Sequence, residues 1–116
     1  MDFNNNIPIY IQVIDDIKMN IIKGNLSLGT KLPSGRDLAL QYKINPNTAS
    51  RIYKELEMDE ICFTKRGLGT YVTEDKNKLL EMKADMSKQL IEDFIMGMKN
   101  LGFIKEEVIG ILEKKY

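Results

Sequence analysis

The 116-residue chain contains no His, no Trp, three Pro and one Cys. Without His, neither a Ser–His nor a Cys–His nucleophile pair can be assembled. A solitary Cys62 leaves no disulfide framework and no zinc or haem ligand set of ordinary composition. An excess of positive charge is missing too: 17 Lys+Arg face 17 Asp+Glu, and the isoelectric point lies near 6.3. A protein that coats nucleic acid by bulk charge is strongly basic, so nucleic-acid binding by this chain would have to come from placed residues. Long apolar runs are also absent. The opening Met-Asp-Phe-Asn-Asn-Asn has no basic stretch, and Ile7 to Ile11 is far too short for a signal or a membrane span. These absences predict a cytoplasmic protein with no metal, no cofactor and no membrane contact, of a length suited to one compact domain or a small domain with an appendage.

What is present is helical periodicity. Residues 2–7 read as a lead-in, after which Pro8 suits a first turn and Ile9, Val13, Ile17 and Ile21 recur every fourth residue, with Tyr10 and Ile14 widening the stripe. This helix should end at Lys23-Gly24-Asn25 with Gly24 in the left-handed cap. A Gly turn and a short extended piece precede Pro33. Ser34-Gly-Arg-Asp37 then reads as a capping box, opening a short helix that buries Leu38, Ala39 and Tyr42. After Lys43 and Ile44, Asn45-Pro46 pairs an N-cap with proline at the first helical position, and Ala49, Ile52, Tyr53 and Leu56 carry that helix to about Met58. Two short helices across so tight a turn outline a helix-turn-helix. Ile61–Thr64 and Thr70–Thr73 read as strands around the loop Lys65-Arg-Gly-Leu-Gly69. The predicted order of helix, short strand, helix, helix and hairpin is that of a winged helix.

From Glu74 onward there is no Pro, and Leu79, Met82, Met86, Leu90, Ile91, Phe94, Ile95, Met98 and Leu101 trace a long amphipathic helix. Asn100-Leu-Gly102 should end it. Val108, Ile109, Ile111 and Leu112 mark a last helix, for which Ile104 is a poor N-cap and Phe103 could staple onto Val108. The fold class is therefore mainly α with a small β-hairpin: a winged helix-turn-helix over residues 8–75 and a two-helix tail over 76–116.

The residues of the third helix not claimed by the core are Asn47, Thr48, Ser50, Arg51, Lys54, Glu55 and Glu57, and Asn47, Arg51 and Lys54 share one face. That face offers base-edge donors and acceptors together with cations, which a major groove can receive. Its polar residues cluster in the first turns, whereas Glu55, Glu57, Asp59 and Glu60 lie toward the far end. The alternative is a solvated helix face. Lys65 and Arg66 beside Gly67 and Gly69 place cations at a tip that can approach a phosphate backbone or a minor groove without an obstructing Cβ; the plainer alternative is a turn needing positive φ. Arg36, just past the Ser34 cap, lies near helix N–H groups that attract phosphate, unless it only pairs with a neighbouring carboxylate.

Pro8-Ile-Tyr-Ile-Gln12, Gly24-Asn-Leu-Ser-Leu-Gly29, Lys31-Leu-Pro-Ser-Gly-Arg-Asp-Leu-Ala39, Asn45-Pro-Asn-Thr48 and Gly67-Leu-Gly-Thr-Tyr-Val72 resemble the winged-helix domain of GntR-family bacterial transcription regulators. The short tail and the Asn-Pro-Asn-Thr turn are most similar to the YtrA-like subfamily. The resemblance implies a phosphate contact by Arg36, base reading from Asn45, Asn47 and Thr48, and a minor-groove approach by Gly67. It further implies a repressor acting near its own operon, often one encoding an ABC-type transporter. Three positions depart from the pattern. Other GntR branches carry arginines at Pro46 and Ser50, so readout here should lean on Asn47, Thr48 and Arg51. Gly35 replaces a helix-favouring residue, and Glu60 stands where the family usually has the glycine that turns the recognition helix into the wing.

The expected DNA-binding set is thus Ser34, Arg36, Asn45, Asn47, Thr48, Ser50, Arg51, Lys54, Lys65, Arg66, Gly67, Gly69 and Thr70, with double-stranded operator DNA as partner. Met86, Leu90, Ile91, Phe94, Ile95, Met98 and Leu101 make an apolar face broader than one short helix can cover, which predicts a homodimer seam. A winged helix that meets an acidic protein through Arg51 and Lys54 is the rival function. An enzyme has no nucleophile–base pair, metal cluster or phosphate loop to support it. The Met-rich tail, with Met82, Met86, Met96 and Met98, offers a further possibility of apolar ligand binding, although packing is the expected use.

Overall fold

A computed structural model describes residues 1–116. Its elements are helix α1 (Ile9–Ile22), α2 (Gly35–Tyr42), α3 (Pro46–Met58), strands β1 (Cys62–Lys65) and β2 (Gly69–Val72), then α4 (Lys76–Asn100) and α5 (Lys105–Lys115). The chain divides into two compact units, Met1–Met82 and Lys83–Tyr116.

In the first unit the four-residue apolar stripe of α1 becomes its buried side, with Val13, Ile14, Ile17 and Ile21 in the core. They meet Leu38, Ala39 and Tyr42 of α2 and Ala49, Ile52, Tyr53 and Leu56 of α3, while Leu32, Ile61 and Val72 close the side toward the hairpin. Two phenols tie the helices down. The Tyr42 hydroxyl donates to Asp16 Oδ2 at 2.7 Å, joining α2 to α1. That of Tyr53 donates to the Pro33 carbonyl, joining α3 to the segment entering α2. No buried side-chain polar atom is left without a partner, so this core carries none of the desolvation cost that an orphaned group would impose.

The hairpin pairs Cys62 with Val72 and Lys65 with Gly69 around the turn Arg66–Leu68. Each strand is therefore displaced by one residue toward the tip relative to the sequence expectation, since Lys65 and Gly69 are paired residues rather than loop. Thr30–Leu32 adds a third, antiparallel edge: Leu32 N–H donates to Thr70 O at 2.7 Å and Val72 N–H to Thr30 O at 2.8 Å. The first unit also runs past the expected boundary at residue 75, because Met82 is buried in its core and Leu79 packs against it. This corrects the grouping of the tail methionines. Met82 is fixed in the winged-helix core and cannot line a pocket of the tail.

The second unit holds the remainder of α4, then α5. Gly102 takes φ +86°, Gly102 N–H donates to Lys99 O and Phe103 N–H to Met98 O. That bond pair is a Schellman closure, and its usual apolar companion contact is supplied by Met98 and Phe103, which line one cleft. Ile104 has no side-chain acceptor for a cap, as expected, but Glu107 reaches back to its N–H at 3.1 Å. No residue from Lys83 to Tyr116 is buried. Between α4 and α5 lies an open cleft of about 710 Å³ lined by Ile91, Phe94, Ile95, Met98, Val108 and Leu112, among others. No helix of the protein is long and apolar enough to cross a membrane.

Candidate nucleic-acid interface

The turn between α2 and α3 depends on two unusual backbone features. Lys43 adopts φ +56° although it is not glycine, and the Ala39 carbonyl accepts both the Lys43 N–H and the Ile44 N–H. Asn45 then caps α3, its Oδ1 accepting the Asn47 N–H at 2.7 Å, with Pro46 following at the first helical position. Ser34 caps α2 in the same manner through the Asp37 N–H at 3.1 Å, and the reciprocal half of the expected capping box is not made. Ser34 and Asn45 thus hold helix starts, and their side-chain acceptors are already occupied.

Along α3, Ala49, Ile52 and Leu56 are 0% exposed. The intervening Asn47, Ser50, Arg51 and Lys54 are exposed and Thr48 is half-buried. The helix therefore presents an uninterrupted polar face over its first turns. Arg36 is exposed in the first turn of α2. Arg51 is not free: its guanidinium lies 3.7 Å from the centroid of the Tyr10 ring on α1, and its Nε donates to Glu55 Oε1 at 3.3 Å. At the far end of α3, Glu57 is engaged by the Thr64 hydroxyl of β1, which ties this acidic end to the hairpin.

At the wing, Phe63 and Tyr71 stack with ring centroids 5.8 Å apart. The Lys65 ammonium lies 4.7 Å from the Tyr71 centroid and 5.6 Å from that of Phe63, so Lys65 rides on the strand aromatics while Arg66 alone of the two occupies the turn. Gly67, at φ +77°, has open space where a Cβ would stand. Gly69, at φ +129°, does not, since a Cβ there would come within 2.8 Å of Lys31 Cε. Thr70 is half-buried, its hydroxyl 3.4 Å from that of Thr64.

The arrangement brings the α2 start, the α3 face and the wing into one folded unit, and it adds two residues that sequence reading missed. Lys31 places a further exposed cation beside Gly69; its position next to the Leu32-Pro33-Ser34 motif was a signal available in the sequence. Tyr10 underlies Arg51. No local spacing could have joined them, because the partners belong to the first and third helices.

Cys62 is buried, and its thiol is pushed up to about 12 by burial and then by the charge of Glu57. Such a thiol stays protonated near neutrality and is inert.

Residues 9–72 match the family described as "Bacterial regulatory proteins, gntR family". Over 107 residues, 92% of this chain and 88% of the relative, the sequence is 40% identical to the HTH-type transcriptional regulator YhcF of Bacillus subtilis. Over 109 residues, 93% of this chain and 84% of the relative, it is 40% identical to the HTH-type transcriptional repressor YtrA of the same organism. A solved GntR-family transcriptional regulator from Listeria monocytogenes superposes with a TM-score of 0.89 at 43% identity, covering 97% of this chain and 98% of that one. With the family matched over most of the winged helix and full-length relatives that are regulators rather than enzymes, the chain belongs to the GntR family of bacterial transcription regulators.

Proposed function

We propose that this regulator is a homodimeric repressor that binds a two-fold operator in duplex DNA, through α3 in the major groove and the wing at its edge. The observation that carries the reading is the exposed polar face of α3, Asn47, Ser50, Arg51 and Lys54 with Thr48, set on a fully buried opposite side. Asn and Arg there have the donor geometry for adenine and guanine edges. Arg36, Lys65, Arg66 and the uncapped N–H groups of Gly35 and Arg36 at the start of α2 are suited to phosphates, which fix register. Gly67, Gly69 and Thr70 shape the wing's approach. Repression follows the YtrA relative, and the resemblance extends the proposal to the regulator's own operon in the cytoplasm, with an ABC-type transporter among its genes.

Dimerisation rests on the second unit. A segment with no buried residue, yet with Leu90 66% and Ile91 54% exposed beside Phe94 and Ile95, needs a partner surface, since patches of this kind are rare on soluble monomers. Met86, Leu90, Ile91, Phe94, Ile95, Met98 and Leu101 form the proposed seam. A two-fold pairing there joins two winged helices, so the second half-site is engaged intramolecularly.

Selection of bound duplexes from a random pool, followed by Arg51→Ala on the winning site, tests the reading. Loss of about 1–3 kcal/mol on that site with a smaller loss on random DNA is expected. Failure to retain any duplex, or binding indifferent to salt, would mean that this face meets a protein instead.

A further inference from the structure

The geometry points to Tyr10 as a positioning residue for sequence reading: with Glu55 it holds the Arg51 guanidinium in a fixed orientation from which Arg51 meets a base edge. This rests on the proposed role of α3. Two separate contacts define the hold. The Tyr10 ring supports the guanidinium from its face at 3.7 Å, and Glu55 takes the Nε–H at 3.3 Å on its edge. Both terminal nitrogens of Arg51 are left without a protein partner, and the side chain remains 57% exposed. A guanidinium held by face and inner edge keeps the outer fork that guanine O6 and N7 accept.

The physical gain is entropic. A free arginine loses much rotamer freedom when it is immobilised at an interface, and fixing it beforehand removes part of that cost. Tyr10 is suited to the task because it is itself held: it is half-buried and packed against the core of the first unit, so it does not move with its load. Glu55 sits one turn along the same helix, where the pairing distance is set by the backbone. Phosphate contacts gain less from this arrangement, since a phosphate can be reached from more directions than the O6 and N7 edge of a guanine. The effect therefore falls more on discrimination between sequences than on binding to random DNA.

The test measures the ratio of affinity for the selected operator to that for random duplex, using the full-length protein. Tyr10→Leu, which keeps an apolar body against the core, should lower that ratio about three- to fivefold, whereas Tyr10→Phe should preserve it. Glu55→Ala, at the helix surface, should lower it independently and covers the case in which Tyr10→Leu does not fold. In the free protein, the Arg51 side-chain proton resonances should carry an upfield ring-current shift in the wild type and Tyr10→Phe, and lose it in Tyr10→Leu. A ratio unchanged or raised in Tyr10→Leu and Glu55→Ala while Arg51→Ala still collapses it would overturn the positioning role and leave the function standing. A Tyr10→Phe loss equal to that of Tyr10→Leu would assign the effect to the hydroxyl and also overturn it. An Arg51→Ala protein that discriminates as well as wild type would instead remove the base-reading role beneath both proposals.

Discussion

Glu60 is a residue whose replacement by glycine should stabilise the chain. It takes φ +61° immediately after Asp59, the C-cap of α3, in the region where a Cβ meets the following carbonyl at a cost of about 1–2 kcal/mol. The surrounding hydrogen bonds require that conformation: Glu60 N–H donates to Glu57 O at 3.0 Å and Ile61 N–H to Leu56 O at 2.9 Å. Together they form a Schellman closure, with Ile61 and Leu56 both buried as its apolar contact. These bonds are all backbone, so Glu60→Gly keeps them and removes the steric cost. The extra freedom of glycine in the unfolded chain returns some of the gain, which leaves about 0.5–1 kcal/mol of net stabilisation. For a domain of this size that is a rise of about 3–6 °C in Tm, or a higher urea midpoint at unchanged slope. Glu60→Ala is the control. It removes the carboxylate from the negative end of α3 but retains the strain, so it should stay within about 0.5 kcal/mol of wild type. A Glu60→Gly protein that melts no higher than wild type, while Glu60→Ala melts higher, would refute the steric argument and assign the cost to charge.

Further outcomes follow from the same geometry. Gly35→Ala in the first turn of α2, where a Cβ meets no atom within 4 Å, should stabilise by about 0.5–1 kcal/mol in the same melts. Replacing Lys65 and Arg66 together by Ala should make the salt dependence of operator binding shallower by up to about 2 in log–log slope, and an unchanged slope would remove the wing from the interface. Phe94→Glu should render the protein monomeric in sedimentation and weaken operator binding sharply, because it puts a charge in the proposed seam. Burial raises the Cys62 thiol and the Tyr42 and Tyr53 phenols above their ordinary values. An acid raised in the folded state stabilises fully below its unfolded pKa and loses that contribution as pH climbs toward the folded one. Urea stability should therefore be level through neutrality and fall from about pH 9 upward, with Cys62→Ala delaying the onset toward pH 10.

The helical parts of the fold were legible because their signals are local. Asn45-Pro46 marked the start of α3, the four-residue stripe gave the buried side of α1, and Gly102 gave the end of α4. The hairpin strands came out one residue away from expectation because β-favouring residues continue past the last paired position at Val72 and begin before the first at Cys62. The family's glycine was expected at position 60, and the structure shows that the conformation persists without it. The grouping of the methionines misled because a helical stripe does not reveal that Met82 is consumed by the first unit. At the candidate site, the exposed α3 face was readable from periodicity. The engagement of Arg51 by Tyr10 and the closeness of Lys31 to Gly69 were not, since each joins segments distant in sequence.

The extended segment Thr30–Leu32, bridged to β2 through Lys31 and Tyr71, makes the wing part of a larger unit. A lone two-stranded hairpin is marginally stable in water, and here Gly29 N–H, reaching the Val72 and Thr73 carbonyls at 3.1 and 3.2 Å, extends the attachment. Pro33 and the Ser34 cap follow that strap immediately, and the Tyr53 hydroxyl bonds to the Pro33 carbonyl. Wing, α2 start and α3 are therefore fastened through one short strap with no loose joint between them. A substitution at Thr30, whose carbonyl accepts the Val72 N–H, would therefore be felt at the wing and at the start of α2 together, and under the proposed function it should relax sequence preference at both places at once.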